Sequence, residues 1–456
     1  MNYISFSLNG AWSLFYKDEK YESDTAPILV NPSHEPDNLM ADAIPAYWED
    51  MTEKFKEMPF FGRLKINPEY GIQAYPILGT APDMALPNIY GNFFYCRDII
   101  LESVADNMAI YFEGVQNSIT VWINDILIGK HEGYSAPFEF AIPKDALKVG
   151  VNKFIFSVSN FRLKGYQDRP ITGLTSRAAN ECTGGITGNV ELRAYNNSLR
   201  DVALFVSDDL NKVSVKTFSY EAIEWEILDG ETPVRSGYAT GDFIIDAEGL
   251  EHWSPESPRL YTLRISAKGG YIERKIGIRK LTVDGVKFKL NGTPYYLRGI
   301  CEHCYFPETI HPNHDKEYYK NVIKRIKELG FNFIRFHTYI PEREYMEAAD
   351  ELGVLIHVEC PNFTTVEEWR DIVKFCRSHP SVVIFCCGNE IYVNDPFIDY
   401  LEEMSKVVHA ESDALFSPLS AMVKVEYGWW DETKPLDEGV IRTPFKHHPE
   451  RLKKNR

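Results

Sequence analysis

"FNFIRFHTYIPEREYMEAADELGVLIHVEC", residues 331–360, changes its hydrophobic period twice. Residues 331–337 are a short, mostly apolar run with strand character. "PEREYMEAADELG" (341–353) has helical spacing, with Pro at its start and Gly at its end. "VLIHVEC" (354–360) returns to a strand. Strand, helix and strand within thirty residues make a βα unit and imply a parallel sheet. The pattern extends both ways. "PYYLRGIC" (294–301) reads as a strand and "KEYYKNVIKRIKELG" (316–330) as a helix with Gly330 at its C-cap. "TVEEWRDIVKFCRSH" (365–379) reads as a helix, "VVIFCCGN" (382–389) as a strand and "DPFIDYLEEMSKVVHAES" (395–412) as a helix. Four units are clear, and "ALFSPLSAM" (414–422) opens a fifth.

Upstream the period is two. "MAIYFEGV" (108–115), "SITVWIND" (118–125), "LIGKHEG" (127–133) and "NKFIFSVSN" (152–160) are short strands between turn residues, with a hairpin at Asn124-Asp125. Residues 1–197 therefore read as an antiparallel sandwich of jelly-roll type. "VALFVS", "KVSVKTFS", "EAIEWEIL" and "LYTLRISA" within 198–283 suit a smaller immunoglobulin-like sandwich. The expected fold is multidomain β plus α/β: two sandwiches, then an α/β barrel or part of one over 284–456.

The bulk composition narrows the function. The chain has 456 residues, 44% hydrophobic and 25% charged, with a formal net charge of −17. That charge argues against a nucleic-acid or anionic-membrane partner. The basic end "FKHHPERLKKNR" (445–456) reads as a solvated tail. No run of about 18 apolar residues is present, so no membrane span is expected. The start "MNYISFSLNG" has neither a basic n-region nor an apolar h-region, which points to a cytoplasmic protein. Eight cysteines are spread thinly, several inside apolar runs, as free buried thiols are. "CEHC" (301–304) has half a zinc-site spacing without a second pair, so neither a metal nor a cofactor is expected. "GGITG" (184–188) has no helix after it and reads as a turn.

In a parallel barrel the loops after the strands carry the site. The strand ends fall near His303, at Arg335 and His337, at Glu359, and at Asn389-Glu390. Carboxylates with amide, His and Arg neighbours suit general acid/base work on a neutral polar substrate, sugars above all. Each residue also has a structural reading. Glu390 can cap the next helix, Arg335 can be an ion-pair partner, and His303 and His337 can be satisfied structural histidines. Glu359 can orient a neighbour, and Trp429-Trp430 can be packing rather than a sugar platform.

Several segments resemble glycoside hydrolase family 2, the β-galactosidase and β-glucuronidase group. They are "SLNGAWSL" (7–14), "IYFEGVQNSITVWINDILIGKHEGYSAPFEFAI" (110–142), "GGITGNVEL" (184–192), "WSPESPRLYTL" (253–263), "IGIRKLTVDGVKFKLNGTPYYLRGI" (276–300) and "HPSVVIFCCGNE" (379–390). The resemblance implies a sugar-binding first domain and a (β/α)8 TIM-type barrel, present here as its first four to five βα units. It implies retaining hydrolysis of an oligosaccharide or other β-glycoside, with Glu390 as general acid/base and Asn389 on a sugar hydroxyl. Arg335, His337, Glu359 and His303 would line the pocket, and a homo-oligomer stays open. A non-catalytic carbohydrate-binding protein or an inactive fragment is the alternative.

Three departures stand out. "RFHTYIP" places His337 one position closer to Arg335 than the family pattern does. "VECPN" replaces Asp-Glu after the third strand. Only 66 residues follow Glu390, too few for three more βα units of about 30 residues each. The nucleophile is therefore expected to be missing from the chain, with Glu426 in "VEYGWW" (425–430) a weak candidate for it.

Overall fold

The computed structural model describes residues 1–17, 19–29, 38–56, 65–66, 89–161, 163–172, 184–304, 306, 311–312, 314–391 and 395–420. Cys182, Glu426, Trp429-Trp430 and the basic tail lie outside them.

The first two hundred residues form two antiparallel sheets over one core. A four-stranded sheet runs Tyr3–Ser7, Val190–Tyr195, Met108–Phe112, Phe138–Ile142 in spatial order. A six-stranded sheet runs Ile126–Glu132, Ser118–Ile123, Gly150–Ser159, Asn92–Leu101, Gly10–Lys17, Asn38–Ile44. Phe112 of one sheet meets Phe156 of the other edge to face at 5.3 Å, and Trp12, Phe93 and Phe154 are fully buried with them. The expected hairpin is present: Ile123 pairs with Ile126, and Asn124 and Asp125 both have positive φ, as a tight primed turn requires. "GGITG" is more than a turn. Its Gly185–Ile186 forms a two-residue strand on Ala46–Tyr47.

A second set of antiparallel sheets follows, with strands Ala203–Val206, Lys212–Lys216 and Phe243–Asp246 in one and Thr232–Thr240, Ala222–Asp229, Tyr261–Ala267 and Gly270–Ile276 in the other. Val213, Val215, Ile227, Ile245, Leu263 and Ile265 fill the space between them.

The segment 294–301, read as one strand, is divided. Thr293–Tyr295 belongs to a three-stranded antiparallel sheet with Leu281–Asp284 and Lys287–Leu290, and the parallel sheet begins only at Gly299. From there the order is β1 (Gly299–Glu302), α1 (Lys316–Glu328), β2 (Phe333–Phe336), α2 (Arg343–Leu352), β3 (Leu355–Glu359), α3 (Val366–Cys376), β4 (Val382–Cys386), α4 (Asp395–Glu411) and β5 (Leu415–Ser417). The five strands lie parallel in sequence order. Gly330 and Gly353, at φ +86° and +79°, close α1 and α2. Ile323, Met346, Trp369, Ile372, Leu401 and Met404 from the helices pack on Ile334, Phe336, Ile356, Val358 and Phe385 of the strands. That amphipathic stripe buries one face of the sheet.

The other face carries different residues, because side chains alternate along a strand. Arg335 pairs in register with Cys301 and His357, and Glu359 lies two residues beyond His357 on the same side. Trp253 ties the sheet to the sandwich before it. It is fully buried with Leu281, Leu290, Leu355 and Val383, and its indole N–H donates to the Asp350 carbonyl at 2.9 Å.

Candidate active site

The residues at the strand ends converge. Arg335, near the end of β2, donates through Nη2 to Glu359 Oε1 at 2.9 Å and through Nε to Oε2 at 3.0 Å. Nη2 also reaches Asn389 Oδ1 at 2.7 Å. Glu359, at the tip of β3, is fully buried and accepts a further bond from the Thr338 backbone N–H at 2.9 Å. Burial works to raise its carboxyl pKa, but the hydrogen bonds from Arg335 and Ser420, together with the Arg335 charge, outweigh it and hold the group below the ordinary value. Glu359 is thus an ionised carboxylate whose oxygens are already occupied.

His337 follows β2 and is buried; its ring stacks on His303 at 4.7 Å, with planes 10° apart. Thr338 Oγ1 lies 3.2 Å from its Nδ1. Burial lowers its pKa, so at neutral pH the ring is uncharged.

The segment after β4 differs from the expected strand over 382–389. Hydrogen-bonded pairing with β3 ends at Cys386, and the chain then turns. Gly388 has φ +118°, and Asn389 forms an isolated bridge to Ser420. The Asn389 N–H donates to Asn362 Oδ1 at 2.8 Å and its carbonyl accepts from Asn362 Nδ2 at 2.9 Å. Glu390 donates its N–H to the Ser420 carbonyl at 3.2 Å, has φ +52°, and is exposed beside the buried Asn389.

Positive φ recurs at this end of the sheet. Cys304, Thr338, Phe363 and Glu390 are non-glycine residues with φ between +49° and +64°. One follows each of the first four strands within four residues. Such conformations cost about 1–3 kcal/mol each and persist where the surroundings over-determine them.

All six residues expected at the site lie in this region, and five are linked by the contacts above. Glu390 stands next to the set rather than bonded into it. Two residues were missed. Asn362, hidden in "PNFTT", clamps Asn389 through both backbone groups. His357, inside "VLIHVEC", lies on the Glu359 face, and period-two alternation was the signal that could have found it. Burial depresses its pKa to about 4. Of the "CEHC" pair, Cys301 is exposed with Arg335 Nη1 3.8 Å from its sulfur, whereas Cys304 is in the hydrophobic core. The seven cysteines among the described residues are all free. None of the expected site residues lines the cleft of about 1140 Å³ bordered by Tyr111, Arg193, Arg274 and Arg343.

Residues 6–171 match the family model described as glycosyl hydrolases family 2, sugar binding domain. The β-galactosidase of Thermoanaerobacter pseudethanolicus is 28% identical over 334 residues, covering 66% of this chain and 44% of that protein. The chain spans less than half the length of the curated relatives it matches most strongly. Among solved structures, the Faecalibacterium prausnitzii β-glucuronidase superposes with a TM-score of 0.69 at 20% identity, over 92% of this chain and 74% of that one. The Ruminococcus gnavus β-glucuronidase in complex with D-glucuronic acid gives 0.68 at 19% identity, over 91% and 72%. Among the described residues, no helix is long and apolar enough to cross a membrane. The first sandwich thus matches the sugar-binding domain of glycoside hydrolase family 2, and the sequence relatives named above include β-galactosidases.

Proposed function

We propose that the chain carries the acid/base half of a retaining β-glycosidase site of β-galactosidase or β-glucuronidase type. In this reading residues 1–197 are a jelly-roll sugar-binding domain, 198–283 an immunoglobulin-like domain, and 284–456 the first units of a (β/α)8 barrel. The alternation of five parallel strands with four helices supports the barrel. The observation that carries the function is the bonded set Arg335–Glu359–Asn389 at the C-terminal ends of adjacent parallel strands, with exposed Glu390 beside it.

Glu390 would protonate the leaving glycosidic oxygen, which departs as the alcohol, and then deprotonate the water that attacks the glycosyl-enzyme. Asn389 Oδ1 is held by Arg335, which leaves its side-chain N–H₂ to donate to a sugar hydroxyl next to the reacting carbon. Such a bond helps catalysis if it strengthens in the transition state. Arg335, His337 and His303 would contact the sugar. Glu359 positions Arg335, since both its oxygens are taken. The nucleophile, which retaining chemistry needs about 5–5.5 Å from the acid, would be a carboxylate outside the described residues.

The test is nitrophenol release from a panel of nitrophenyl β-glycosides by the 456-residue chain and its Glu390→Gln variant. Little turnover is expected from the chain, and what there is should fall by about 10²-fold or more on substitution. Robust turnover that survives Glu390→Gln would overturn the assignment.

A further inference from the structure

We propose that His131, Glu368 and Asp371 form a divalent transition-metal site, of zinc type, that ties the first sandwich to the parallel α/β unit. His131 lies on the edge strand Ile126–Glu132. Glu368 and Asp371 are one turn apart on α3, so their side chains share a helix face. His131 Nε2 is 3.8 Å from Glu368 Oε2 and 3.7 Å from Asp371 Oδ2, and the three donor atoms lie within 4.8 Å of one another.

These separations are too long for hydrogen bonds, which close at about 2.7–3.2 Å. They are close to what an ion sets. Bonds of about 2.0–2.2 Å in a tetrahedral zinc site place the ligand atoms about 3.4 Å apart. A movement of a few tenths of an ångström brings each His–carboxylate pair to that separation.

A second observation points the same way. Glu368 has a side chain only 4% exposed, yet its Oε2, the atom facing His131, has no hydrogen-bond partner among the described residues. Its other oxygen accepts from the Tyr134 and Ser135 N–H groups at 3.0 and 2.8 Å. The sequence Thr365-x-x-Glu368 is that of a capping box, in which the Glu would turn back to the Thr365 N–H. Here Thr365 caps Glu368 N–H, but the carboxylate crosses to the sandwich instead.

The imidazole is prepared in a similar way. His131 stacks on Phe138 at 3.8 Å, which fixes its plane. With its proton on Nδ1 the ring would turn the Nε2 lone pair toward the two carboxylates, an arrangement that a cation between them stabilises. One imidazole with two carboxylates favours zinc-like ions over calcium or magnesium, which prefer all-oxygen shells. Asp371, 34% exposed, leaves a side open for entry and for a water as fourth ligand. The site lies on the helix side of the sheet and is independent of the glycosidase reading.

The experiment titrates the metal-free chain with Co²⁺, followed by visible d–d absorption, and then with Zn²⁺ in competition. One equivalent is expected to bind and to raise the melting temperature. His131→Gln and Asp371→Asn should each weaken binding by about tenfold or more. Asp371→Asn sits at a partly exposed helix position, so its metal-free melting curve checks that the fold is intact. Absence of binding in the micromolar range, or undiminished binding by the double variant, would overturn the proposal.

Discussion

Arg335 grips both carboxylate oxygens of Glu359, at 2.9 and 3.0 Å, while the same guanidinium reaches Asn389 at 2.7 Å. One residue on β2 thereby fixes the tip of β3 and the turn after β4. The planar fork of arginine is what permits it, since two parallel N–H groups match a carboxylate and a third donor remains.

Arg335→Ala should cost about 3 kcal/mol of stability, read from urea unfolding. It leaves a fully buried carboxylate held only by donors such as the Thr338 N–H. The double variant Arg335→Ala/Glu359→Gln should lose less than the sum of the two single losses, because the uncompensated charge is gone. Strict additivity would contradict the pairing. The folded pKa of Glu359 is depressed, so the stabilisation is present above the ordinary carboxylate range and is lost as pH falls through the folded value.

Gly388→Ala should displace the turn that carries Asn389 and Glu390. A Cβ there would meet Asn362 Oδ1 at 2.5 Å, and φ of +118° is strained for any side chain. Asn362→Ala removes the same clamp without adding bulk and leaves the buried Asn389 N–H unpaired, for about 1–3 kcal/mol. Both variants should unfold at lower urea than the parent and bind galactose or glucuronate more weakly in calorimetry. Unchanged binding with reduced stability would make Asn362 structural only.

Gly133→Ala tests the contact between the sandwich and α3. The added Cβ would lie 1.8 Å from Glu368 Oε2, so either the loop or the carboxylate must move. The expected loss is about 1–3 kcal/mol. Faster amide exchange at Tyr134 and Ser135, whose N–H groups donate to Glu368, should accompany it. Protection unchanged at both amides would show that the contact survives.

Much of this architecture is legible in the sequence because it rests on period. The helices over 316–328, 343–352, 366–376 and 395–411 and the strands between them follow from apolar spacing and from Gly330 and Gly353. The strand-end residues follow from the same reading. What spacing conceals is contact between distant segments. Asn362 looks like an ordinary loop residue until its side chain is seen against the Asn389 backbone. Glu368 reads as a helix cap, and only the fold brings it to Tyr134 and His131. The break between Thr293–Tyr295 and Gly299–Glu302 is hidden as well, because a continuous apolar run does not say which sheet each half joins.

His357 should give the chain an acid sensitivity of its own. Its folded pKa is about 4, depressed by burial on β3, against about 6.5 unfolded, and its Nε2 has no hydrogen-bond partner among the described residues. Between these values the unfolded chain binds a proton that the folded chain does not, so stability rises with pH. Equivalently, stability falls as pH drops from about 6.5 to about 4, by roughly 3 kcal/mol in all. Glu342, raised to about 7 by burial, has the opposite slope over an overlapping window, so the parent curve alone mixes the two. His357→Leu separates them. The difference in unfolding free energy between parent and variant should change with pH only across the His357 window. A constant difference from pH 7 to pH 4 would mean that His357 takes up its proton equally in both states.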